Sequence, residues 1–368
     1  MILILTQCFP SRVGGIESLI SNLALQLRKK NKVIVFADRH HLFYDSIYDN
    51  LHKNEILIRR TGGIKFFRRR KKIKEIKPFI DSNNVKFIVA DTWKSLELGI
   101  EYINSQNIPV ICLAHGNELL SKNKSKKNRI YNTLSKVPYI IANSKYTFNL
   151  VKKILPENKM IKYIYPGAND LYSVASQKFI NISGNPILLT LSRLEKRKGH
   201  LEIIKAVAKL ILQHPNLKYF IAGEGSEKTK LKKIVKQYSL EKNIKFTGAV
   251  NDSQKKYLFE NADLMVMPTL DESNKLSIEG FGISYIEAAF HGIPSIASNI
   301  GGTPEAVIHN ETGIIVNGKE DLYNALDNLL SNQDKIKQLG QNAKKRAISN
   351  FSWEVVIKDF ISVIEELS

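Results

Sequence analysis

The feature that most constrains this chain is a rhythm that occurs twice. Short apolar, β-branched runs alternate with longer stretches of helical period. The first series of runs is Ile2–Thr6, Lys32–Ala37, Lys86–Ala90, Val110–Ala114 and Tyr139–Ala142, with helical patterns such as Ile16–Lys29 and Ser144–Ile154 between them. The second is Pro186–Ser192, Lys218–Ala222, Ile244–Thr247, Leu264–Met267, Pro294–Ala297 and Thr312–Val316. Strands that are apolar on both faces need cover on both faces, which a parallel sheet sandwiched by its own crossover helices supplies. The pattern therefore predicts an α/β chain of two Rossmann-like, doubly wound domains. The length of 368 residues agrees, because one hydrophobic core stops growing well before that size.

The seam is expected in Tyr165–Asn185, a stretch rich in turn formers and without sustained period. This gives a first domain over 1–168 and a second over 169–350. Residues 351–368 read as a C-terminal helix that packs back on the first domain. The opening MILILTQCFP reads as a first strand, since it has no basic start and its apolar run is short. No stretch is long and apolar enough to cross a bilayer. Cys8 and Cys112 belong to no C-x-x-C and are expected as reduced, structural thiols. There is no H-E-x-x-H and no D-x-D, so no metal site is expected.

In open parallel sheets, ligands bind outside the carboxyl ends of the strands, and five motifs fall at such ends. FPSRVGGIES (Phe9 to Ser18) places Gly14 and Gly15 in a turn that opens a helix, a geometry suited to an anion. It lacks the third glycine of a dinucleotide fingerprint, and an ordinary glycine turn is the bland alternative. AHGNE (Ala114 to Glu118) puts His115 beside Gly116, where the ring can meet a sugar hydroxyl or a phosphate. SRLEKRKGH (Ser192 to His200) offers Arg193 and Lys198 to a diphosphate, the guanidinium as a fork and the ammonium as a point charge. Lys196 and Arg197 in the same turn read as solvated. AGEGSEKTKL (Ala222 to Leu231) turns from strand to helix through Gly223 and Gly225. EGFGISYIEAAF places Glu279 on a loop lip and Glu287 in the first two turns of a helix that starts near Gly282. A buried carboxylate at 287 wants a hydroxyl partner, which a ribose would supply.

In this order, the motifs GGIE, HGNE, RLEKRKG, GEG and EGFGISYIEAAFHGIPSIAS with NIGGTPE resemble the retaining glycosyltransferases of family four, the E-x7-E group with the GT-B architecture. The resemblance spans residues 11 to 305. It implies two Rossmann-like domains facing across a cleft, with the acceptor on the first and the nucleotide-sugar donor on the second. It implies that Glu287 binds the donor ribose and that Glu279 contacts the donor sugar. Gly280, Phe281, Gly282 and Ile283 would offer backbone to sugar and phosphate. Arg193 and Lys198 would hold the diphosphate, Gly15 with Gly14 would approach the donor phosphate, and His115 the sugar near its anomeric carbon. Gly223 would sit by the donor, and the nucleotide base would rest by Gly248 to Val250. The catalytic set so implied is His115, Glu279, Arg193 and Lys198. The reaction so implied is metal-independent, needs no cofactor beyond its substrate, a UDP- or GDP-linked hexose, and would move that sugar to a glycan or lipid-linked acceptor in cell-envelope synthesis. Two departures stand out: PGAND at the interdomain turn, and a longer loop TLDESNKLSI before Glu279.

Net charge is +20, and residues 1–170 carry 30 Lys and Arg against 13 Asp and Glu. Such a balance favours an anionic partner. Ile64–Ile80 mixes Phe66, Phe67, Ile73, Ile76, Phe79 and Ile80 with eight Lys and Arg, and Ser121–Arg129 adds five more cations. Both segments are candidates for contact with an anionic membrane surface, with Phe66, Ile73, Ile76 and Ile80 on the lipid side. The alternative is a core-facing helix with a solvated basic face. The expected location is cytoplasmic, peripheral on the inner face of the plasma membrane. Two other function classes compete. A nucleic-acid-binding protein would use the charge, but no recognition helix or base-stacking ladder is present, so no nucleic acid is expected. A GT-B sugar-nucleotide epimerase would call on more carboxylates and histidines near the cleft than His115 alone.

Overall fold

The computed structural model describes residues 1–367, the side chains of Lys65 and Phe66 apart. The chain forms two compact units, Met1–Gly167 with Trp353–Ser368 and Ala168–Ser352. The first unit runs β1 (Ile2–Leu5), α1 (Gly15–Leu27), β2 (Val33–Asp38), α2 (Leu42–Leu51), β3 (Leu57–Thr61), α3 (Lys65–Asp81), β4 (Phe87–Ala90), α4 (Trp93–Leu96), α5 (Ile100–Ser105), β5 (Val110–Ala114), α6 (Lys124–Leu134), β6 (Tyr139–Ala142), α7 (Lys145–Lys152) and β7 (Met160–Tyr163). The second runs β8 (Ile187–Leu191), α8 (His200–Leu210), β9 (Lys218–Ala222), α9 (Lys228–Gln237), β10 (Ile244–Gly248), α10 (Asp252–Asn261), β11 (Leu264–Met267), α11 (Ile283–Phe290), β12 (Ser295–Ser298), α12 (Thr303–Ala306), β13 (Gly313–Val316), α13 (Lys319–Leu330) and α14 (Gln333–Phe351). The last helix, α15 (Trp353–Glu366), packs against α1 of the first unit. There Gly167 lies under the Trp353 ring, where a Cβ would stand only 2.7 Å from an indole carbon.

Each unit holds one all-parallel sheet, as the repeated rhythm predicts. The strand orders are β3-β2-β1-β4-β5-β6-β7 and β10-β9-β8-β11-β12-β13. The central strands are buried along their whole length, which is why they read as near-continuous apolar runs. Helices fill both faces: Ile76, Phe79 and Ile80 of α3 pack with Leu3, Phe36 and Ile88 in the first core. In the second core, Ile203 and Val207 of α8 meet Leu188, Ile221 and Val266. Strand order reverses between β1 and β4 in one sheet and between β8 and β11 in the other. These are the switch points where crossovers diverge and leave a crevice at the carboxyl edge.

The lipid-facing role expected for Ile73, Ile76 and Ile80 is overturned, while the side chain of Phe66, expected on the same side, lies outside the described residues. Ile76 and Ile80 are buried in the core and Ile73 packs against it. Several cations of the same helix serve the fold as well. The Lys72 ammonium is buried on the Thr6 carbonyl at 2.6 Å and on Asp38, Arg68 reaches Asp38, and Arg69 pairs with Glu97. In the second basic stretch Arg129 also binds Glu97, and Lys126 donates to the Leu120 carbonyl. Among the described residues no helix is long and apolar enough to cross a membrane.

Candidate functional site

At the switch point of the second sheet, the loop after β8 meets the loop after β11. The β8 loop closes with a 3₁₀ turn, Lys196–Lys198, followed by Gly199 at φ 75°. A Cβ on Gly199 would meet the Pro268 carbonyl oxygen at 2.0 Å, so the two loops touch backbone to backbone there. Leu270 N–H donates to the Arg197 carbonyl at 2.7 Å and ties them further. The glycines after β9 serve the same loop: a Cβ on Gly223 would stand 2.0 Å from the Ser192 carbonyl oxygen, and Leu194 N–H donates to the Glu224 carbonyl.

The turn drives two cations onto one carboxylate. Lys198 Nζ lies 2.6 Å from Glu279 Oε2, and the Arg197 guanidinium binds the same oxygen. Arg197 is thus buried, not a solvated residue of a basic turn. Arg193 instead stays half exposed and pairs with Glu195 at 2.8 Å, while Glu195 also accepts from Arg197 Nε. Burial pushes the Glu279 carboxyl up, but Lys198 and Arg197 outweigh it and bring it down to about 2. Burial pulls the Lys198 ammonium down, with Glu279 opposing. His200 follows in the first turn of α8. Burial, with Lys198 beside it, lowers its ring to about 4, so it is neutral at physiological pH.

Glu279 is gripped by its backbone too. Gly302 N–H donates to its carbonyl at 2.9 Å, and Gly301, at φ 61°, lies so close that a Cβ would stand 2.1 Å from that oxygen. This accounts for the Gly-Gly turn of NIGGTPE. From Glu279 the chain passes through buried Gly280 and Phe281 to Gly282, the N-cap of α11, and Ile283, its first residue. The helix N-terminus leaves backbone donors and a partial positive charge at this edge. Tyr285 locks the turn by donating to the Met267 carbonyl at 2.6 Å.

Glu287 lies one turn further and is buried, and its partner is an ammonium: Lys255 Nζ at 2.6 Å from Oε1. Lys255 also reaches Asp252 at 3.2 Å. Burial lowers this ammonium, and Glu287 and Asp252 more than restore it, so it sits above the ordinary lysine range. Lys255 comes from α10, whose Asn251–Gln254 capping box fixes the turn after Val250. The sequence reading missed it; the signal was a lysine one turn into the helix that follows Gly248 to Val250.

The switch point of the first sheet is organised by a residue the motifs did not single out. Asp91, fully buried after β4, accepts from Thr6 Oγ1 and Gln7 N at 2.8 Å and from Ser95 Oγ at 2.6 Å. Its carbonyl takes His115 Nε2 at 2.8 Å. A carbonyl only accepts, so Nε2 carries the proton and Nδ1 of the neutral ring is left with the lone pair. His115 N–H donates to Glu118 at 2.7 Å, which holds the loop after β5. Gly14 and Gly15 open α1 as expected, but its N-terminus has its own anion. Glu17 is buried there, paired with Arg12 at 2.8 Å, and its carboxylate lies against Gly14. Among the described residues no group of three His, Cys, Asp or Glu is arranged to hold a metal ion.

Comparison with known proteins agrees with this architecture. Residues 13–170 match the family model described as Glycosyltransferase Family 4, and residues 175–346 match Glycosyl transferases group 1. A GDP-mannose-dependent monoacylated alpha-(1-6)-phosphatidylinositol monomannoside mannosyltransferase of Corynebacterium glutamicum is 25% identical over 99% of this chain and 97% of its own. An uncharacterised glycosyltransferase of Methanocaldococcus jannaschii is 27% identical over 97% of this chain and 95% of its own. Among solved structures, Anabaena HepE in complex with UDP and glucose superposes with a TM-score of 0.82 at 19% identity, covering 100% of both chains. Sucrose-phosphate synthase from Thermosynechococcus elongatus gives 0.82 at 19% identity, covering 100% of this chain and 98% of that one. The chain belongs to the family-four glycosyltransferases and has their GT-B fold of two Rossmann-like units.

Proposed function

We propose that this glycosyltransferase moves a mannosyl group from GDP-mannose to a lipid-linked or glycan acceptor of the cell envelope, with retention at the anomeric carbon. The observation that carries the donor reading is the pairing of Lys198 and Arg197 with Glu279 at the switch point of the second sheet. With Arg193 and Glu195 included, three cations meet two carboxylates and leave one net positive charge beside a helix N-terminus, which suits a diphosphate. Mannose and guanosine are proposed from the full-length likeness to the corynebacterial mannosyltransferase. Lys198, with Arg193 reaching in from the loop, would hold the diphosphate. Glu287 would accept from the ribose through the oxygen that Lys255 does not take, and Glu279 would meet the sugar. His115 is assigned to the transferred sugar by the family resemblance, and its Nδ1 lone pair would accept from a sugar hydroxyl.

In the transfer, the bond from the anomeric carbon to the β-phosphate oxygen breaks. The acceptor oxygen bonds that carbon on the same face, and its proton passes to the departing phosphate. The cations stabilise the charge that develops on the leaving diphosphate.

The test is a melting screen against GDP, UDP, ADP and CMP, followed by transfer from GDP-mannose to a lipid extract. GDP at a hundred times its Kd should add about 2.7 kcal/mol of stability. A shift with UDP and none with GDP would reject the donor base. Glu287→Ala should weaken GDP at least about tenfold, the worth of a hydrogen bond to a charged group. The turn under Glu279 gives a separate prediction. Gly301→Ala must move the Glu279 backbone, and misplacement of about 1 Å can cost about 10²-fold in kcat. Wild-type kcat in that variant would show that the Gly-Gly turn does not position Glu279.

A further inference from the structure

Helix α2 is inverted relative to an ordinary surface helix. Its inward side is polar: Asp45 is buried, and Asp49, Tyr48 and His52 share that side. Arg60 of β3, its side chain 2% exposed, binds Asp45 at 3.2 Å and Asp49 at 2.7 Å. Ser11 donates to Asp45 at 2.7 Å, and the His40 and His41 amides donate to its second oxygen. Burial pushes the Asp45 carboxyl up, but these hydrogen bonds and Arg60 together hold it below the usual range. The helix is therefore pinned by ions and hydrogen bonds, and its apolar residues face out. Leu42, Phe43, Tyr44, Ile47 and Leu51 are 52–74% exposed. At 100° per residue Phe43, Ile47, Leu51 and Tyr44 span one side, opposite Asp45 and Asp49. An unbroken apolar face of this kind on a chain with ample polar residues marks a contact surface.

What lies beside it identifies the occupant. Strands β2 and β3 pair in register up to Asp38 and Thr61, so α2 and α3 leave the same carboxyl edge. At the start of α3, Ile64 and Phe67 are exposed as well. Along α3 the exposed side carries Arg70, Lys71, Lys74 and Lys77, and Arg39 is exposed before α2. An apolar ridge beside a cationic field matches the acyl boundary and headgroups of an anionic bilayer. A second copy of this chain would bring the same cations face to face. We propose that α2 inserts its outward face into the interface of an anionic membrane, with the exposed cations of α3 on the headgroups. This goes beyond the transfer reading and stands independently of it.

The experiment uses full-length Phe43→Trp protein and vesicles of phosphatidylcholine with or without phosphatidylglycerol. Trp93 and Trp353 are buried and give a steady background. The new indole should shift to the blue on anionic vesicles and be quenched by brominated acyl chains, with little binding to pure phosphatidylcholine. The triple variant Phe43→Ser, Ile47→Ser, Leu51→Ser should lose at least about tenfold in vesicle affinity. Its melting temperature and GDP affinity should be unchanged. Failure of the wild type to bind anionic vesicles overturns the proposal. So does binding in which the indole stays in water, or a concentration-dependent dimer that the triple variant abolishes. GDP affinity is read separately, so any of these results leaves the donor assignment standing.

Discussion

Replacing Lys198 with alanine is expected to lower kcat about 10²–10³-fold, the usual effect of removing one charged group aimed at a developing anion. The ammonium is buried and held at 2.6 Å from Glu279, so its position is set before any ligand arrives. A preorganised charge in a partly dry site costs no reorganisation when the leaving group forms. Arg193→Ala should cost less, about tenfold, because that side chain is 53% exposed and already paired with Glu195. Steady-state kinetics of the two variants side by side decides the matter. Equal losses would place the diphosphate on the exposed rim of the loop and not on the buried cation.

Glu279→Ala should be the most destabilising change in the second unit. It leaves Arg197 and Lys198 buried without their shared counter-charge, a situation that costs about 3–5 kcal/mol. The carboxyl lies at about 2 against an ordinary 4.5, and that gap corresponds to ~3 kcal/mol. Because the folded value is the lower one, the contribution is fully present above about pH 4.5 and fades as pH falls toward 2. For a unit of this size the loss at pH 7 amounts to roughly 10 °C in Tm. Calorimetry of wild type and variant at pH 7 and near pH 3 tests it: the difference in Tm should narrow at the lower pH. A constant difference would mean that Glu279 stabilises by shape and not by charge.

Much of this was legible in the residues, and the exceptions have physical reasons. The central strands announce themselves because both faces are buried. The edge strands β3 (LIRRT) and β7 (MIKY) do not: Leu57 and Met160 are half exposed, and Arg59 and Lys162 interrupt the apolar run. The helical period of α3 was readable, but period alone does not say whether an apolar side meets lipid or core, and Ile76 and Ile80 meet the core. In α2 the period points the wrong way, because Arg60 draws Asp45 and Asp49 inward from another strand.

At the site, the two glutamates and Lys198 stand out in their motifs, and the roles proposed for them rest on the family resemblance. The sequence reading gives the diphosphate to Arg193 and leaves Arg197 to solvent, because only the 3₁₀ turn decides which guanidinium rotates onto Glu279, and it is Arg197. Lys255 and Asp91 escaped because their partners lie 32 and 85 residues away in sequence. The formal charge of the first half also misleads as a measure of ligand attraction. Arg60, Lys72 and Arg129 spend theirs on internal carboxylates.

The central claim, that the buried cation on Glu279 reads a diphosphate, is tested most directly by titration calorimetry of guanosine and GDP into wild type and Lys198→Ala. The account predicts that GDP binds wild type far more tightly than guanosine, and that the variant loses about tenfold or more of that advantage while its guanosine affinity is unchanged. The same preference for GDP in both proteins would contradict it.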